Sequence, residues 1–298
     1  MNTKKETAIV FGATKNFAFA IASVLMDLKK FDYSWITEVV IFHDGISNNQ
    51  QKLLNRILPC VFVKYNFPIK DKSNFDQNIL NYFSEMVFSK FECLRLLDTY
   101  KNVIWLDYDI IITKDISELA SQASFGIKIM LGGGDVLSQL SRPVVSYDMN
   151  AGGVSAATFV FQDNIGNYMK MYNFCYEKTE QYAEYLYQPE QAIFDFMIQD
   201  FNLHPEFLDW DIYCVHPEKR DKYKDAKILH SYGARKFWNE INNEDWNLNY
   251  KNWLKMGGHG YSLKKYLIIK KVKNILSSIG VYKDIKKTIL KLKGYFIK

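Results

Sequence analysis

Short apolar runs alternate with segments of helical spacing along the first part of the chain, and this alternation restricts the fold more than any other feature. The apolar runs lie at residues 7–13, 38–42 and 60–65, and helical patterns lie between them at 18–30 and 48–58. Strands that alternate with helices form βα units, whose strands pair in parallel under a cover of helices. The sequence therefore predicts an α/β protein with a mainly parallel central sheet flanked by helices.

A pair of aspartates stands at the end of the next predicted strand. A helical pattern at 84–98 leads into the apolar run 102–106, which is followed directly by Asp107 and Asp109. Carboxylates in apolar surroundings are costly unless a cation accompanies them. Residues two apart on a strand share one face, so we expect both carboxylates to bind one hard divalent cation, Mn²⁺ or Mg²⁺. The alternative is a turn whose aspartates cap the next element, as Asp115 could in D-I-S-E.

Two glycine-containing segments raise the question of whether the chain has a known nucleotide-binding motif. Residues 126–146 include the run G-G-G and are predicted to be a loop, but no Lys-Ser or Lys-Thr pair follows to make a phosphate-binding loop. The N-terminal A-I-V-F-G-A-T opens like a short-chain dehydrogenase, yet the later glycines of a dinucleotide-binding turn are missing. Neither Tyr168 nor Tyr172 has a lysine four residues on, as that family's catalytic motif requires. A dehydrogenase is therefore disfavoured.

The cysteines and the start of the chain bear on the cellular compartment. Cys60, Cys93, Cys175 and Cys214 are widely spaced and form no C-x-x-C pair, which argues against a zinc knuckle and against a disulfide framework. The first residues lack the long apolar stretch and cleavage site of a signal peptide. We therefore expect buried free thiols in a cytoplasmic protein.

The last part of the chain differs from the rest in its charge. Residues 261–298 contain 11 lysines, no arginine and one acidic residue, Asp284, whereas the whole chain has a net charge of +5. Apolar residues recur between the lysines at helical spacing, which predicts a basic amphipathic helical tail on an anionic membrane surface, following a domain over 1–260. A helix packed on its own domain with a solvated lysine face is the alternative. Nucleic acid is not expected as a partner, because the tail has no arginine and no recognised binding module accompanies it.

The sequence around the two aspartates closely resembles the central motif of glycosyltransferase family 8. That segment is S-K-F-E-C-L-R-L-L-D-T-Y-K-N-V-I-W-L-D-Y-D-I-I-I-T-K-D-I-S-E-L, at residues 89–119. Further motifs follow in the family's order: I-V-F-G-A-T-K-N-F near the start, I-F-H-D-G-I-S, M-N-A-G-G-V at 149–154, P-E-Q-A-I-F at 189–194 and H-S-Y-G-A-R-K-F-W at 230–238. The resemblance covers residues 7–240. It implies a retaining glycosyltransferase with a GT-A fold, whose Rossmann-like sheet holds a nucleotide sugar.

The resemblance also implies a metal site. In the family's pattern Asp107, Asp109 and His230 would chelate Mn²⁺ or Mg²⁺, which neutralises the donor diphosphate and makes it a better leaving group. A lone histidine is more often structural, but Gly233 and Lys236 follow this one. Gly233 would let the backbone approach the phosphates, and Lys236 would add positive charge.

The same resemblance implies the donor-binding positions. Asn150 and Ala151 occupy positions that contact the donor sugar, and Glu190 and Gln191 stand where the family commonly has an Asp-Gln pair beside the anomeric carbon. Lys90 stands where the family usually has a basic residue that reaches the donor, although a solvated helix lysine is the alternative. The predicted donor-binding set is Ala13, Thr14, Asn16, Phe17, Lys90, Asp107, Tyr108, Asp109, Asn150, Ala151, His230, Gly233 and Lys236. The predicted catalytic residues are Glu190, Gln191 and Lys236.

Two routes to retention of anomeric configuration remain open. A double displacement needs a nucleophile such as Glu190 or Gln191 at the anomeric carbon. The other route is attack on the face that the leaving group vacates, in which a departing phosphate oxygen helps to deprotonate the acceptor. The second route is favoured, because no strong carboxylate nucleophile is evident in the family.

Three departures from the family's pattern concern specificity. Thr14 stands where an aspartate often bonds to uracil, while the aromatic Phe17 is kept, so uridine is expected on weaker grounds. Phe237 replaces the proline of K-P-W, and Glu190 replaces an aspartate near the sugar.

The expected function is transfer of galactose or glucose from a UDP-sugar to a glycan acceptor. Relatives of this kind often build lipopolysaccharide or other surface polysaccharides, and a lipid-linked acceptor would explain a tail on the inner face of the cytoplasmic membrane. The alternative is a non-catalytic nucleotide-sugar-binding relative that acts as a partner of another transferase.

Overall fold

The computed structural model describes residues 3–261, along which strands and helices alternate. The strands are β1 (Lys5–Ala13), β2 (Glu38–His43), β3 (Cys60–Lys64), β4 (Tyr100–Leu106), β5 (Ile110–Ile112), β6 (Ile127–Asp135), β7 (Gly152–Gln162), β8 (Glu206–Phe207) and β9 (Ile228–His230). The α-helices are α1 (Ala18–Leu28), α2 (Asn48–Asn55), α3 (Gln77–Phe83), α4 (Glu92–Leu96), α5 (Tyr168–Gln181), α6 (Pro189–Asp200), α7 (Trp210–Tyr213) and α8 (Glu244–Lys255). Short 3₁₀ segments cover Glu85–Phe91, Ser117–Ala120, Leu137–Gln139, Asp163–Ile165 and Pro217–Lys219. Apart from Tyr261, the predicted basic tail lies outside the described residues, so the tail and the domain boundary before it stay predictions.

The central sheet contains seven strands in the order β3-β2-β1-β4-β7-β6-β8. Strands β3, β2, β1 and β4 are parallel, β7 is antiparallel to both of its neighbours, and β8 is parallel to β6. The predicted α/β fold with a mainly parallel sheet flanked by helices is confirmed. Strands β5 and β9 form a separate antiparallel pair.

The central strands are buried on both faces because helices cover each side of the sheet. In β1, Ile9 and Phe11 belong to the apolar layer beneath α1 and α8, whereas Val10 belongs to the layer beneath α4, α5 and α6. Successive strand residues point to opposite faces, so a doubly covered strand reads as an unbroken apolar run. The ends of β1 and β4 are therefore held firmly at one edge of the sheet, and the residues that follow them are positioned there.

Two predictions of local structure are wrong. Residues 127–135 form β6 rather than part of a loop, because Ile129 and Met130 are buried in the sheet and the glycine half of the strand pairs with β7 across two shifts of register. Glycine is typical of such irregular strand geometry, and it concealed the strand in the sequence. The helix predicted over 84–98 is instead a 3₁₀ segment followed by the short α4, and Ser84 at φ +60° separates it from α3.

The prediction of buried cysteines agrees with the structure at three of the four positions. All four cysteines are free: Cys93, Cys175 and Cys214 are buried, and Cys60 is half-buried. In the segment from residue 3 to residue 261, no helix has the length and apolar character needed to cross a bilayer.

Candidate active site

A cleft with a volume of about 880 Å³ opens where β1 and β4 end. Its walls come from these strand ends, from residues 81–90, from the glycine half of β6 and the start of β7, from the N-terminus of α6, and from residues 230–238. Open α/β sheets bind their ligands at this edge. The predicted site residues that line the cleft are Thr14, Phe17, Lys90, Asp107, Tyr108, Asp109, Glu190, Gln191, His230, Gly233 and Lys236.

Three possible metal ligands converge on one side of the cleft. Atoms of Asp107, Asp109 and His230 lie within 4.8 Å of one another, and we call these residues the Asp-Asp-His cluster. Both aspartates lie in the turn between β4 and β5, and β5 pairs with β9, which ends at His230. The Asp107 N–H donates to the Ala157 carbonyl (3.0 Å), and the Ser231 N–H donates to the Asp109 carbonyl (3.0 Å). The expected alternation along one strand is therefore wrong, because this turn rather than a strand pleat brings the carboxylates together.

Asp109 is held between two cationic groups. Its Oδ1 lies 3.1 Å from His230 Nε2, and the ammonium group of Lys236 contacts its Oδ2. Burial opposes a charged carboxylate, but the charges and hydrogen bonds of His230 and Lys236 hold the pKa of Asp109 well below its usual value. Burial also opposes a charged imidazole, yet Asp109 and Cys214 together raise the pKa of His230 to about 10. A cation that binds through His230 Nε2 would therefore displace a proton.

Lys90 connects the Asp-Asp-His cluster to α6. Its Nζ lies 3.3 Å from Asp107 Oδ1 and 2.9 Å from Glu190 Oε1. Burial alone would lower the pKa of Lys90, but these two carboxylates raise it above its usual value. The residue is 6% exposed, so the alternative of a solvated helix lysine is wrong. Glu190 Oε2 is buried without a hydrogen-bond partner among residues 3–261, which leaves this oxygen available to a ligand hydroxyl.

The indole of Trp105 orients Asp107. Its Nε1–H donates to Asp107 Oδ1 at 2.8 Å, on the same oxygen that Lys90 approaches. Asp107 Oδ2 then faces His230, 3.9 Å from Nε2. Because the indole and Lys90 both contact Oδ1, the other oxygen remains a ligand for a cation.

Gln191 is engaged with the sheet rather than free in the cleft. It stands in the first turn of α6, and its Oε1 accepts a hydrogen bond from the Ala156 N–H of β7 at 3.1 Å. Its side-chain NH₂ contacts the side-chain oxygen of Gln188. The amide oxygen therefore could not attack an anomeric carbon without first releasing a backbone N–H.

An aromatic group stands beside the Asp-Asp-His cluster. Phe17 stacks on Tyr108 with ring centroids 5.1 Å apart, and Trp238 lies 5.6 Å from Phe17. All three line the cleft together with Thr14. Aromatic faces of this kind stack on nucleobases.

The comparison of families agrees with the motifs in the first part of the sequence. The model described as "Glycosyl transferase family 8" matches residues 8–126. The resemblance to glycosyltransferase family 8 is confirmed. No curated protein sequence matches the chain significantly. The family 8 match supports a glycosyltransferase.

Solved structures of glycosyltransferases share the fold. The galactosyltransferase LgtC, in complex with donor and acceptor sugar analogs, is 14% identical with a TM-score of 0.62, over 84% of this chain and 99% of that one. The bifunctional glycosyltransferase WbbM is 13% identical with a TM-score of 0.63, over 86% of this chain and 51% of that one. GlyE of Streptococcus pneumoniae is 15% identical with a TM-score of 0.55, over 87% of this chain and 65% of that one. At these identities the likeness establishes the fold, and the predicted GT-A fold is confirmed.

Four residues of the predicted family 8 donor set do not line the cleft. Ala13 is buried at the end of β1, and Asn16 is exposed after it. Asn150 is exposed and Ala151 is half-buried before β7, whereas residues 153–155 of that strand face the cleft. The sugar-contact role of Asn150 and Ala151 stays a prediction.

Three residues of the site were missed in the sequence. Trp105 and Trp238 stand inside the family 8 motifs, so their positions offered a signal. Cys214 lies outside every motif, and its place against His230 is visible only in the structure.

Proposed function

We propose that this protein is a metal-dependent retaining glycosyltransferase that transfers a hexose, galactose or glucose, from a UDP-sugar to a glycan acceptor. The observation that carries the proposal is the Asp-Asp-His cluster in the wall of a cleft large enough for a nucleotide sugar. A family 8 match over the same aspartates supports it.

The donor atoms of the cluster fit a divalent cation. Carboxylate oxygens suit Mg²⁺ and Mn²⁺, and an imidazole beside them favours Mn²⁺ of the two. When bound, the cation would neutralise the donor diphosphate as nucleoside diphosphate departs. Lys236 also contacts the Ser231 carbonyl at 2.8 Å, which holds its ammonium group at the cleft wall where it can bind a phosphate oxygen. Gly233 has φ +83°, a conformation that an L side chain rarely adopts, and it brings bare backbone to this wall.

The aromatic group and the Lys90–Glu190 pair suit the two ends of the donor. Phe17 offers a stacking face for the base, while Thr14 supplies a hydroxyl instead of the family's carboxylate. Uridine is therefore proposed from the family pattern and the stacking face, without a carboxylate partner for the base. At the sugar end, Glu190 Oε2 can accept a hydrogen bond from a hexose hydroxyl.

Attack on the vacated face is the proposed route to retention. Gln191 has its oxygen on the Ala156 N–H, and the charge of Glu190 is paired with Lys90 through Oε1, so attack by either side chain would work against these contacts. In the proposed step the acceptor oxygen bonds to the anomeric carbon, the bond from that carbon to the phosphate oxygen breaks, and the acceptor proton passes to the departing phosphate.

A lipid-linked acceptor in lipopolysaccharide or surface polysaccharide synthesis is proposed from the basic tail. The described chain ends at Tyr261, whose ring lies 6.0 Å from Phe19 and 6.4 Å from Trp238. Because Trp238 lines the cleft, Tyr261, which directly precedes the lysine-rich residues in the sequence, lies close to the proposed donor site. We propose that it binds the anionic inner face of the cytoplasmic membrane, which would keep the cleft near such acceptors. Deletion of residues 262–298 should abolish sedimentation with anionic vesicles, and unchanged sedimentation would disprove this part.

A donor screen tests the catalytic proposal. Purified protein is incubated with Mn²⁺ or EDTA and a panel of UDP-, GDP-, CMP- and ADP-sugars, and binding and slow donor hydrolysis are measured. We expect one UDP-hexose to bind with Mn²⁺, and binding to be lost in Asp109→Asn but kept in the control Asp225→Asn, whose carboxylate is at the surface. Metal-dependent binding of another nucleotide would retain the chemistry and exclude uridine. Absence of binding to every nucleotide sugar would favour the non-catalytic alternative.

A further inference from the structure

The imidazole of His230 is held at both of its nitrogens. Nε2 lies 3.1 Å from Asp109 Oδ1, and Nδ1 lies 3.2 Å from the sulfur of Cys214. An imidazole that binds a cation through Nε2 is neutral and carries its hydrogen on Nδ1, so this hydrogen needs an acceptor. The Cys214 sulfur is the partner that the structure gives it.

The position of Cys214 is fixed by its surroundings. The residue is 1% exposed and packs in a small apolar cluster with Met130 and Ala157. The next residue, Val215, accepts the His230 N–H through its carbonyl at 2.8 Å and so ties the two segments together. This backbone pairing and the burial of both side chains hold the thiol beside the imidazole.

We propose that Cys214 is a positioning residue for the divalent cation: its sulfur accepts the Nδ1 hydrogen of His230 and leaves the Nε2 lone pair facing Asp107 and Asp109. The inference rests on the proposed metal-dependent function. Metal-binding histidines more commonly donate to a carboxylate or a carbonyl, which raise the basicity of the ligand. Sulfur is a weaker acceptor than either, and the role assigned to it here is to orient the imidazole.

Mn²⁺ affinity measured in the absence of donor tests the proposal on the full chain. Free Mn²⁺ is titrated by electron paramagnetic resonance against the wild type, Cys214→Ala, Cys214→Ser and Cys175→Ala. Loss of an outer-shell partner typically weakens a metal site by about 10- to 100-fold, which is the effect expected for Cys214→Ala. Cys214→Ser, whose hydroxyl can accept the same hydrogen, should stay within a few-fold of the wild type. Cys175 is equally buried but contacts Met197 rather than any residue of the Asp-Asp-His cluster, so Cys175→Ala should leave the Mn²⁺ affinity unchanged.

A second measurement needs no substitution at Cys214 and covers the case in which its variants fold poorly. Long-range ¹H–¹⁵N spectra of the wild type with Mg²⁺, assigned with His230→Gln, report which ring nitrogen carries the hydrogen. We expect the hydrogen on Nδ1 in the Mg²⁺-bound protein.

Three results would overturn the proposal. Equal Mn²⁺ affinity of Cys214→Ala and the wild type would remove the role of the sulfur while leaving the metal site intact. Equal weakening in Cys214→Ser and Cys214→Ala would show that the loss comes from packing rather than from the acceptor. A wild type that binds neither cation would disprove the metal-dependent function and this inference together.

Discussion

Asp195 gives the sharpest test of how the cleft wall is stabilised. This residue of α6 is 3% exposed, and the Val154 N–H donates to its carboxyl oxygens at 3.1 and 3.3 Å. Gln139 lies within hydrogen-bonding reach, and its Oε1 has no other partner among residues 3–261. Burial raises the pKa of the Asp195 carboxyl to about 8. A protonated Asp195 can donate a hydrogen bond to Gln139 while it accepts one from the Val154 N–H. Gln139 and Val154 both line the cleft.

The raised pKa makes folding stability depend on pH. The unfolded chain releases this proton near the ordinary value of 3.8, whereas the folded chain keeps it up to about pH 8. Below pH 3.8 the carboxyl is protonated in both the folded and the unfolded chain. As pH rises from 3.8 to about 8, only the unfolded chain releases the proton, so the free energy of unfolding falls. One pKa unit corresponds to about 1.4 kcal/mol, so this group alone lowers the free energy of unfolding by roughly 4 kcal/mol between pH 5 and pH 8.

Substitution of Asp195 by asparagine removes the titration and keeps the shape. The side-chain NH₂ can donate to Gln139 and the oxygen can accept from Val154, so both partners of the carboxyl keep a hydrogen bond. We expect Asp195→Asn to gain stability over the wild type by about 1.3 kcal/mol per pH unit between pH 5 and pH 8. Asp195→Ala also removes the titration but leaves the Val154 N–H unpaired, so it should be about 1–3 kcal/mol less stable than Asp195→Asn at every pH.

Urea unfolding at several pH values between 5 and 8.5 measures this difference. The comparison is the free energy of unfolding of Asp195→Asn minus that of the wild type at each pH, with Asp225→Asn as a surface control. Parallel curves for Asp195→Asn and the wild type would refute the reasoning, since they would mean that Asp195 is ionised in the folded protein. If the free energy of unfolding of Asp225→Asn also diverged from that of the wild type with pH, the pH dependence could not be assigned to Asp195.

Three further predictions concern the cleft. Trp105→Phe removes the indole N–H from Asp107 and should weaken Mn²⁺ binding by about 10-fold in a titration, with the fold checked by circular dichroism. Lys90→Met leaves two carboxylates, those of Asp107 and Glu190, without their shared cation and should cost roughly 3–5 kcal/mol of stability, whereas Lys90→Arg should keep most of it; thermal unfolding of both variants decides this. Phe17→Ala should weaken nucleotide binding by about 1–3 kcal/mol through lost stacking, and Phe17→Tyr should retain it, as measured by calorimetry with UDP and Mn²⁺.

The central sheet was predictable because it follows from local pattern. Doubly buried strands give unbroken apolar runs, so β1, β2 and β4 could be placed from the sequence within a few residues. The spacing of residues in the sequence could not predict that Asp107 and Asp109 lie beside His230. Their proximity depends on the pairing of β5 with β9, two three-residue strands far apart in the chain, and the sequence offered it only through the family resemblance.

The contacts that orient the site escaped the sequence for a similar reason. The Trp105 indole reaches Asp107 two residues on, which a strand pattern would place on the same face but could not identify as a hydrogen bond. Cys214 contacts His230, which lies 16 residues further along the chain. No residue next to Cys214 in the sequence indicates that its sulfur accepts a hydrogen bond. The broken helix over 84–98 shows the limit of periodicity, because its apolar spacing fits a buried 3₁₀ segment as well as an α-helix.

The glycines of β6 were misinterpreted as part of a loop because glycine serves three physical purposes that one letter does not distinguish. Gly133 has φ +80°, which other residues rarely adopt, and Gly153 has no room for a Cβ, which would lie 2.8 Å from the Asp135 carbonyl oxygen. Gly132 has neither restriction: its φ is not positive, and a Cβ there would meet nothing closer than 3.4 Å. Because Gly132 lines the cleft, its missing side chain keeps space open for a ligand rather than relieving the backbone. Where backbone freedom, close packing against the neighbouring strand and ligand space each require a glycine, a strand has the composition of a loop. Only the burial of the apolar half of β6 against the sheet shows that it is a strand.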